Sequence, residues 1–344
     1  MVSVSGFGRA DGKDINLYTV RNDKMSFSVM NRGATLVSAF VPDAKGELAD
    51  VLLGFDSADD WAERSDNQGV VAGPYANRIA KGEFSIDGVK YELVKNERGI
   101  QTLHGNFEFG NAYWDAEILD ENSVKFTYSS PDGMGGFPGN LTCSVVYTLD
   151  DMTIRMKYFA SSDKKTPINP TNHAYFNLGG FDAGTILSHQ LQINASHFTP
   201  VDENSIPTGE ILPVEGTPFD FTESKPIGKD IEVDCVQLKN TGGFDHNFCV
   251  DGDGIRTAAL VCDSNSGRTL TVNTDLPGIQ FYAGNFLKGV IGKDGKPMDK
   301  RTGFCLETQF YPDTPNKPNF PQCNFAPGEE YQSVTEFVFG IDRR

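Results

Sequence analysis

Residues 141–159 read LTCSVVYTLDDMTIRMKYF. Leu141, Cys143, Val145 and Tyr147 alternate with Thr142, Ser144 and Thr148, and after Asp150-Asp151 the alternation resumes through Ile154, Met156 and Tyr158. A period of two, with apolar side chains on one side of a pleated ribbon, predicts two antiparallel strands joined by a tight turn. The stretch EFSIDGVKYELV (83–94) repeats the pattern around Asp87-Gly88, a dipeptide that tolerates positive φ at both central positions of a two-residue hairpin loop.

Further β runs occur at SVKFTYSS, TAALVCDS, RTLTVNTD, GIQFYAGNF and SVTEFVFGI, each bounded by Gly, Pro, Asn or Asp. One helix is expected, SADDWAERS (57–65), where Ser57 can cap and acids occupy the first turn. Many short strands, 36 glycines and 18 prolines predict an all-β protein, a β-sandwich rather than an α/β fold. The 344 residues contain no composition break, charged run or fixed-period repeat, so a single domain spanning 1–344 is expected.

The 47 acids against 30 basic residues set a net charge of -17, which repels a phosphate backbone and excludes nucleic acid as a partner. No run approaches a membrane span of about 18 apolar residues, and the N-terminus lacks the pattern of a secretion signal. The six cysteines are sparse and never form CxxC, so they are expected to be reduced, mostly buried thiols of a cytoplasmic protein.

The five histidines form no HxxxH, HExxH or HxH pair, and no metal site is expected. There is no GxSxG, P-loop or dinucleotide fingerprint. What remains are polar clusters in turn-rich segments: GPYANRIAKGEF (73–84), QTLHGN (101–106), NPTNHAYFNL (169–178), GGFDHNF (242–248), GIQFYAGNF (278–286) and FCLETQFYPDTPNKPNFP (304–321). Each mixes ionisable or amide side chains with aromatics, the composition a sugar needs for its hydroxyls and its apolar faces. Singly they are ambiguous. Period two sets Glu307 on the face of Cys305 and Gln309, away from Phe304 and Leu306, which suits a solvated outward face as well as a site. Asp245 and His246 could be turn formers, and Arg78 a surface ion-pair partner.

In this order and spacing, from about residue 7 to 340, the segments resemble the aldose 1-epimerase family, the galactose mutarotases. NPTNHAYFNL and LETQFYPDTPNKPNFP carry the likeness most specifically, supported by FDHNF, PGIQFYAGNF and HFTPVDENSIPTGEILPVEGTPFDF (197–221). The resemblance implies a large antiparallel β-sandwich and a cofactor-free interconversion of hexose anomers by a monomer or homodimer, the partner being a small aldose sugar. It implies His173 as general acid, Glu307 as general base, and Asn77, Arg78, His104, Tyr175, Asp245 and Gln280 as sugar-binding residues. A carboxylate near His173, such as Asp245, is expected to favour the imidazolium. The chain departs from the family pattern at Gly73-Pro74, where Gly-Arg is usual, and at His104-Gly105-Asn106, where HGG is usual. Neither removes a named polar group, and Asn106 is expected to constrain the loop that holds His104. Within the same class, a hexose-6-phosphate epimerase would need extra Arg or Lys around a phosphate, and a glycoside hydrolase could pair Asp245 with Glu307. A non-catalytic sugar-binding module would not need His173 and Glu307 together.

Overall fold

A computed structural model describes residues 1–64 and 67–342. The decisive stretch is a hairpin: Leu141–Asp150 pairs antiparallel with Thr153–Ser162, with Val145 opposite Tyr158 and Asp150 opposite Thr153. The turn is therefore Asp151-Met152, one residue later than the sequence suggested, and Asp151 takes the left-handed conformation there (φ 54°). Cys143, Val145, Tyr147, Ile154, Met156 and Tyr158 are all buried, as the alternation requires.

This hairpin is the middle of a nine-stranded sheet, ordered Asp115–Ile118, Ser123–Ser130, Leu141–Asp150, Thr153–Ser162, Tyr331–Ile341, Arg268–Thr274, Arg256–Cys262, Gln190–Ile193 and Lys225–Pro226. A second sheet is an N-terminal meander of Val2–Ala10, Lys13–Arg21, Ser26–Met30, Thr35–Pro42 and Leu48–Asp50. A third runs Leu212–Pro213, His197–Thr199, Asp245–Cys249, Gly278–Tyr282 and Cys305–Gln309. Neighbouring strands are antiparallel throughout these sheets. The protein is an all-β sandwich.

The layers meet through aromatic side chains. Tyr18 packs edge-on against Phe126 at 5.4 Å, joining the N-terminal sheet to the nine-stranded one, and Phe176 packs against Phe337 at 5.0 Å while lying beside Phe304. Each such ring removes a large apolar area from water, worth about 1.5–3 kcal/mol per buried side chain before entropy is counted.

Each β run read from sequence contains a strand, although the one in GIQFYAGNF ends at Tyr282, and Glu83–Ile86 pairs with Val89–Glu92 around Asp87 and Gly88, both at positive φ. The expected helix occupies Ala58–Arg64, with the Ser57 hydroxyl accepting from the Asp60 amide; Ser65 lies outside the described residues. Two further short helices, Glu108–Asn111 and Val236–Thr241, carry no sequence signal strong enough to have been expected. No described helix is long and apolar enough to cross a membrane.

Candidate active site

The sugar-like clusters converge where the third sheet meets two short ladders. Arg78–Ile79 pairs with Thr102–Leu103, which sets the GPYANRI and TLHG segments side by side. Thr171–Asn172 pairs with Val71–Ala72 and delivers His173 to the same place. The asparagines of NPTNHAYFNL are pins: Asn169 exchanges two hydrogen bonds with the Phe310 backbone, Asn172 donates to the Gly69 carbonyl, and Asn177 donates to the Gly184 and Thr302 carbonyls. They fix the loop without occupying its functional face.

These segments enclose a cavity of about 200 Å³ lined by Asn67, Asn77, Arg78, Glu97, Leu103, His104, His173, Tyr175, Asp245, Tyr282, Phe286 and Glu307. Seven of the eight residues singled out from sequence line it. Gln280 does not: it stands behind Asp245, donating its amide to Asp245 Oδ1 at 2.7 Å. Asn67, Glu97, Leu103, Tyr282 and Phe286 were not singled out. Tyr282 and Phe286 lie within GIQFYAGNF and could have been drawn from it, whereas nothing local marks Glu97.

Glu307 is 2 % exposed, and the strand Cys305–Gln309 is buried on both faces, so the solvated-face alternative does not hold. Alternation distributes side chains between two faces but does not say what covers each. Nor is Arg78 a surface residue: its Nε and Nη2 each meet a Glu97 oxygen at 2.9 Å, with both side chains largely buried. Asp245 and His246 are strand residues pointing opposite ways, Asp245 into the cavity and His246 between Phe198 and Phe219.

His173 Nε2 lies 3.6 Å from Glu307 Oε2, and its Nδ1 is 3.6 Å from the Cys305 sulphur. Its ring stacks on Tyr175 at 5.2 Å and meets His104 edge-on at 5.0 Å. The carboxylate beside His173 is therefore Glu307, not Asp245, which is engaged by Gln280 and faces Arg78 Nη1 at 3.7 Å. Burial lowers the His173 pKa to about 4, so the expectation that a neighbouring Asp245 would hold it charged is overturned. Burial and the like charge of Asp245 push Glu307 well above the usual carboxylate range, against the pull of Arg78. Each group thus resists its own charge.

His104 accepts the Asn77 amide at Nδ1 (3.1 Å), which leaves the proton on Nε2 and makes that nitrogen a donor. The ligand atoms of His104, His173 and Glu307 lie within 4.8 Å of one another, but a metal needs a lone pair where His104 offers either a committed acceptor or an N–H. That tautomer suits a hydroxyl instead. His104, Gly105, Asn106 and Phe107 all have positive φ (49°, 59°, 61° and 60°), and asparagine is among the few residues besides glycine that take this conformation readily. Asn106 in place of the usual glycine thus preserves the turn under His104. Pro74 lies against the same turn, since a Cβ on Gly105 would come within 2.5 Å of its ring and 2.4 Å of the Gly73 carbonyl.

Among the described residues, Arg78 is the sole Lys or Arg lining the cavity, beside three carboxylates, Glu97, Asp245 and Glu307, a balance that disfavours a phosphate. A larger hollow of about 420 Å³ surrounds His189 and Arg268, but Arg268 gives its donors to the Val41, Leu178 and Glu47 carbonyls and His189 Nε2 accepts the Leu178 amide. There the polar groups serve the fold.

A buried imidazole and a buried carboxylate among further polar side chains in one cavity can be set beside known proteins. The family profile described as aldose 1-epimerase matches residues 16–338. The chain belongs to the aldose 1-epimerase family. It is 42% identical to galactose mutarotase of Bos taurus over 330 residues, covering 95% of this chain and 94% of the relative. It is 40% identical to aldose 1-epimerase of Escherichia coli K12 over 336 residues, 96% of each chain. The crystal structure of galactose 1-epimerase from Lactobacillus acidophilus superposes with a TM-score of 0.88 at 29% identity, covering 100% of this chain and 99% of that one. The relatives are carbohydrate epimerases, so the family is one of isomerases, and its shared fold is the antiparallel sandwich described above.

Proposed function

We propose that this protein, acting as one domain, interconverts the α and β anomers of hexoses such as D-galactose and D-glucose, with His173 as acid and Glu307 as base. The observation that carries the reading is the 3.6 Å approach of His173 Nε2 to Glu307 Oε2 in one buried cavity. Anomer exchange needs one proton removed from the C1 hydroxyl and one delivered to the ring oxygen. The chemistry of ring opening leads us to expect an acid and a base on either side of the sugar, about its width apart; the two groups stand only 3.6 Å apart, and we take one wall to suffice because both oxygens are bonded to C1.

In the forward direction Glu307, ionised, takes the proton of the C1 hydroxyl while the C1–O5 electron pair leaves to oxygen. His173 Nε2–H protonates that oxygen, giving the open aldehyde, neutral His173 and protonated Glu307. Rotation about C1–C2 presents the other face, and the two groups reverse roles to close the ring. Burial disfavours the charged pair and favours the neutral one. The imidazolium is thus a stronger acid, and the carboxylate a stronger base, than either would be in water. Each positioned proton transfer is worth roughly 10²–10⁴-fold. His104 Nε2–H, Arg78 Nη1, Asn77 and Asp245 are the groups assigned to sugar hydroxyls, and Tyr175 supplies an apolar wall.

No cofactor enters this chemistry. The six cysteines are free thiols, four of them buried, which fits work in the cytoplasm. The test is polarimetry on freshly dissolved α-D-galactose with wild type and His173→Asn. The wild type is expected to speed the approach to equilibrium, and a folded His173→Asn protein to fall to within a few-fold of the uncatalysed rate. A wild type that binds sugar without speeding exchange would make it a binding module, and release of reducing ends from a glycoside would make it a hydrolase.

A further inference from the structure

Glu97 lies outside every motif that marks the family, yet it is among the most firmly fixed groups at the cavity. We propose that Glu97 is a positioning residue for the sugar site. It grips the Nε and Nη2 edge of Arg78 so that Nη1 alone faces Asp245 and the cavity, and it balances a guanidinium charge that Asp245 and Glu307 would otherwise share.

The grip is bidentate, with Nε to Oε2 and Nη2 to Oε1 both at 2.9 Å, the geometry in which a guanidinium and a carboxylate fix each other's plane. Glu97 is itself held independently of any sugar. Gln101 Nε2 donates to Glu97 Oε2 and also to the Asn204 carbonyl at 2.9 Å, and the 97–101 turn closes through the Glu97 amide onto the Gln101 carbonyl at 3.1 Å. Arg78 Nη1 then stands 3.7 Å from Asp245 Oδ2, beyond hydrogen-bond reach, while Gln280 holds the other Asp245 oxygen. The gap is one that a ligand hydroxyl can span, accepting from Nη1 and donating to Oδ2.

The same contact sets the charge balance. The groups that face Glu307 are His173, His104, Asp245, Arg78 and the Cys305 thiol, and of these Arg78 is the one permanent cation. Arg78 in turn is faced by Glu97, Asp245 and Glu307, with His104 nearby. With Glu97 in place, one carboxylate is fully matched to the guanidinium. Without it, the guanidinium is free to swing onto Asp245, closing the gap, and its charge bears on Glu307, weakening it as a base.

This inference rests on the acid–base reading above, and the experiment separates the two. Anomer exchange of α-D-galactose is followed against pH for wild type, Glu97→Gln, Glu97→Asp, Arg78→Met and the double variant Arg78→Met/Glu97→Gln. Glu97→Gln is expected to raise KM about tenfold, as for partial loss of one hydrogen bond to a charged group, and to move the alkaline limb of kcat/KM, where the raised Glu307 loses its proton, to lower pH. Glu97→Asp keeps the charge but shortens the reach, and is expected to raise KM with the alkaline limb unmoved. In the Arg78→Met background, Glu97→Gln is expected to change neither. An inactive wild type would sink the acid–base reading itself. With an active wild type, the proposal is overturned by a Glu97→Gln protein with unaltered KM and alkaline limb. It is equally overturned if the effect persists undiminished without Arg78, which would make Glu97 a support of the fold alone. Should Glu97→Gln fail to fold, an unaltered KM in Glu97→Asp overturns it.

Discussion

Replacing Glu307 by Gln should abolish turnover without weakening the fold, an outcome unusual for a buried residue in a central strand. Glu307 is nearly inaccessible, and its Oε2 has no hydrogen-bond partner within the protein. Leaving such an acceptor buried and unmatched costs about 1–3 kcal/mol, more for a charge. The amide keeps the shape and removes the charge. Because burial raises the Glu307 pKa in the folded chain above its ordinary 4.5, the folded state binds this proton more tightly than the unfolded state. The stability linked to that proton is complete below about pH 4 and is lost as pH rises through the folded value. The variant escapes this loss, so at pH 7.5 its Tm should equal the wild type's or exceed it by about 1.5–4 °C, taking the per-residue unfolding entropy over 344 residues. The difference should vanish near pH 4. In the same samples, kcat for α-D-galactose by polarimetry should fall roughly 10²–10⁴-fold. A folded variant that keeps more than a tenth of wild-type kcat would place the base elsewhere. A Tm several degrees below wild type at pH 7.5 would show that the carboxylate is stabilising and that the unmatched-charge argument is wrong.

Other perturbations separate the scaffold from the site. Lys293 reaches Asp50 Oδ2 at 2.6 Å and donates to the Val37 and Leu52 carbonyls in a buried pocket, so Lys293→Met should cost about 3–5 kcal/mol by stranding Asp50. Thermal unfolding would report this, and adding Asp50→Asn should restore part of it. Gly105→Ala drives a Cβ into the Gly73 carbonyl at positive φ, and it should lower kcat/KM through displacement of His104, read by polarimetry beside an unfolding curve. A thiol reagent on the native protein should label Cys235 and Cys262 first, leaving Cys143, Cys249, Cys305 and Cys323 protected until unfolding; early loss of Cys305 would contradict its burial beside His173.

Sheet content was legible from local sequence because alternation is a local property: Cys143, Val145 and Tyr147 announce their strand whatever lies beyond it. The hairpin at Asp87-Gly88 was legible for the same reason, whereas the segments that bring His173, Asn77, Arg78 and His104 to the cavity were legible as polar, turn-rich clusters whose order and spacing resemble the aldose 1-epimerase family. The N-terminal meander, with largely exposed Val2–Ala10 at its edge, offered a weaker pattern and emerged only in the structure. Period two could also assign Glu307 to a face but could not say whether water or protein lay over it. That was decided by strand Gly278–Tyr282 beside it, where Gln280 is its cross-strand neighbour, and by loops from residues 69–78 and 169–178 that close the space above. Which carboxylate stands beside His173, and which one holds Arg78, likewise depended on contacts 134 and 19 residues apart in the chain. Acid and base strength follow from solvent exclusion and neighbouring charge, both properties of the packed interior. The residue types and their order were therefore written in the sequence, while their burial, their partners and hence their proton affinities were decided only when the remote elements packed together.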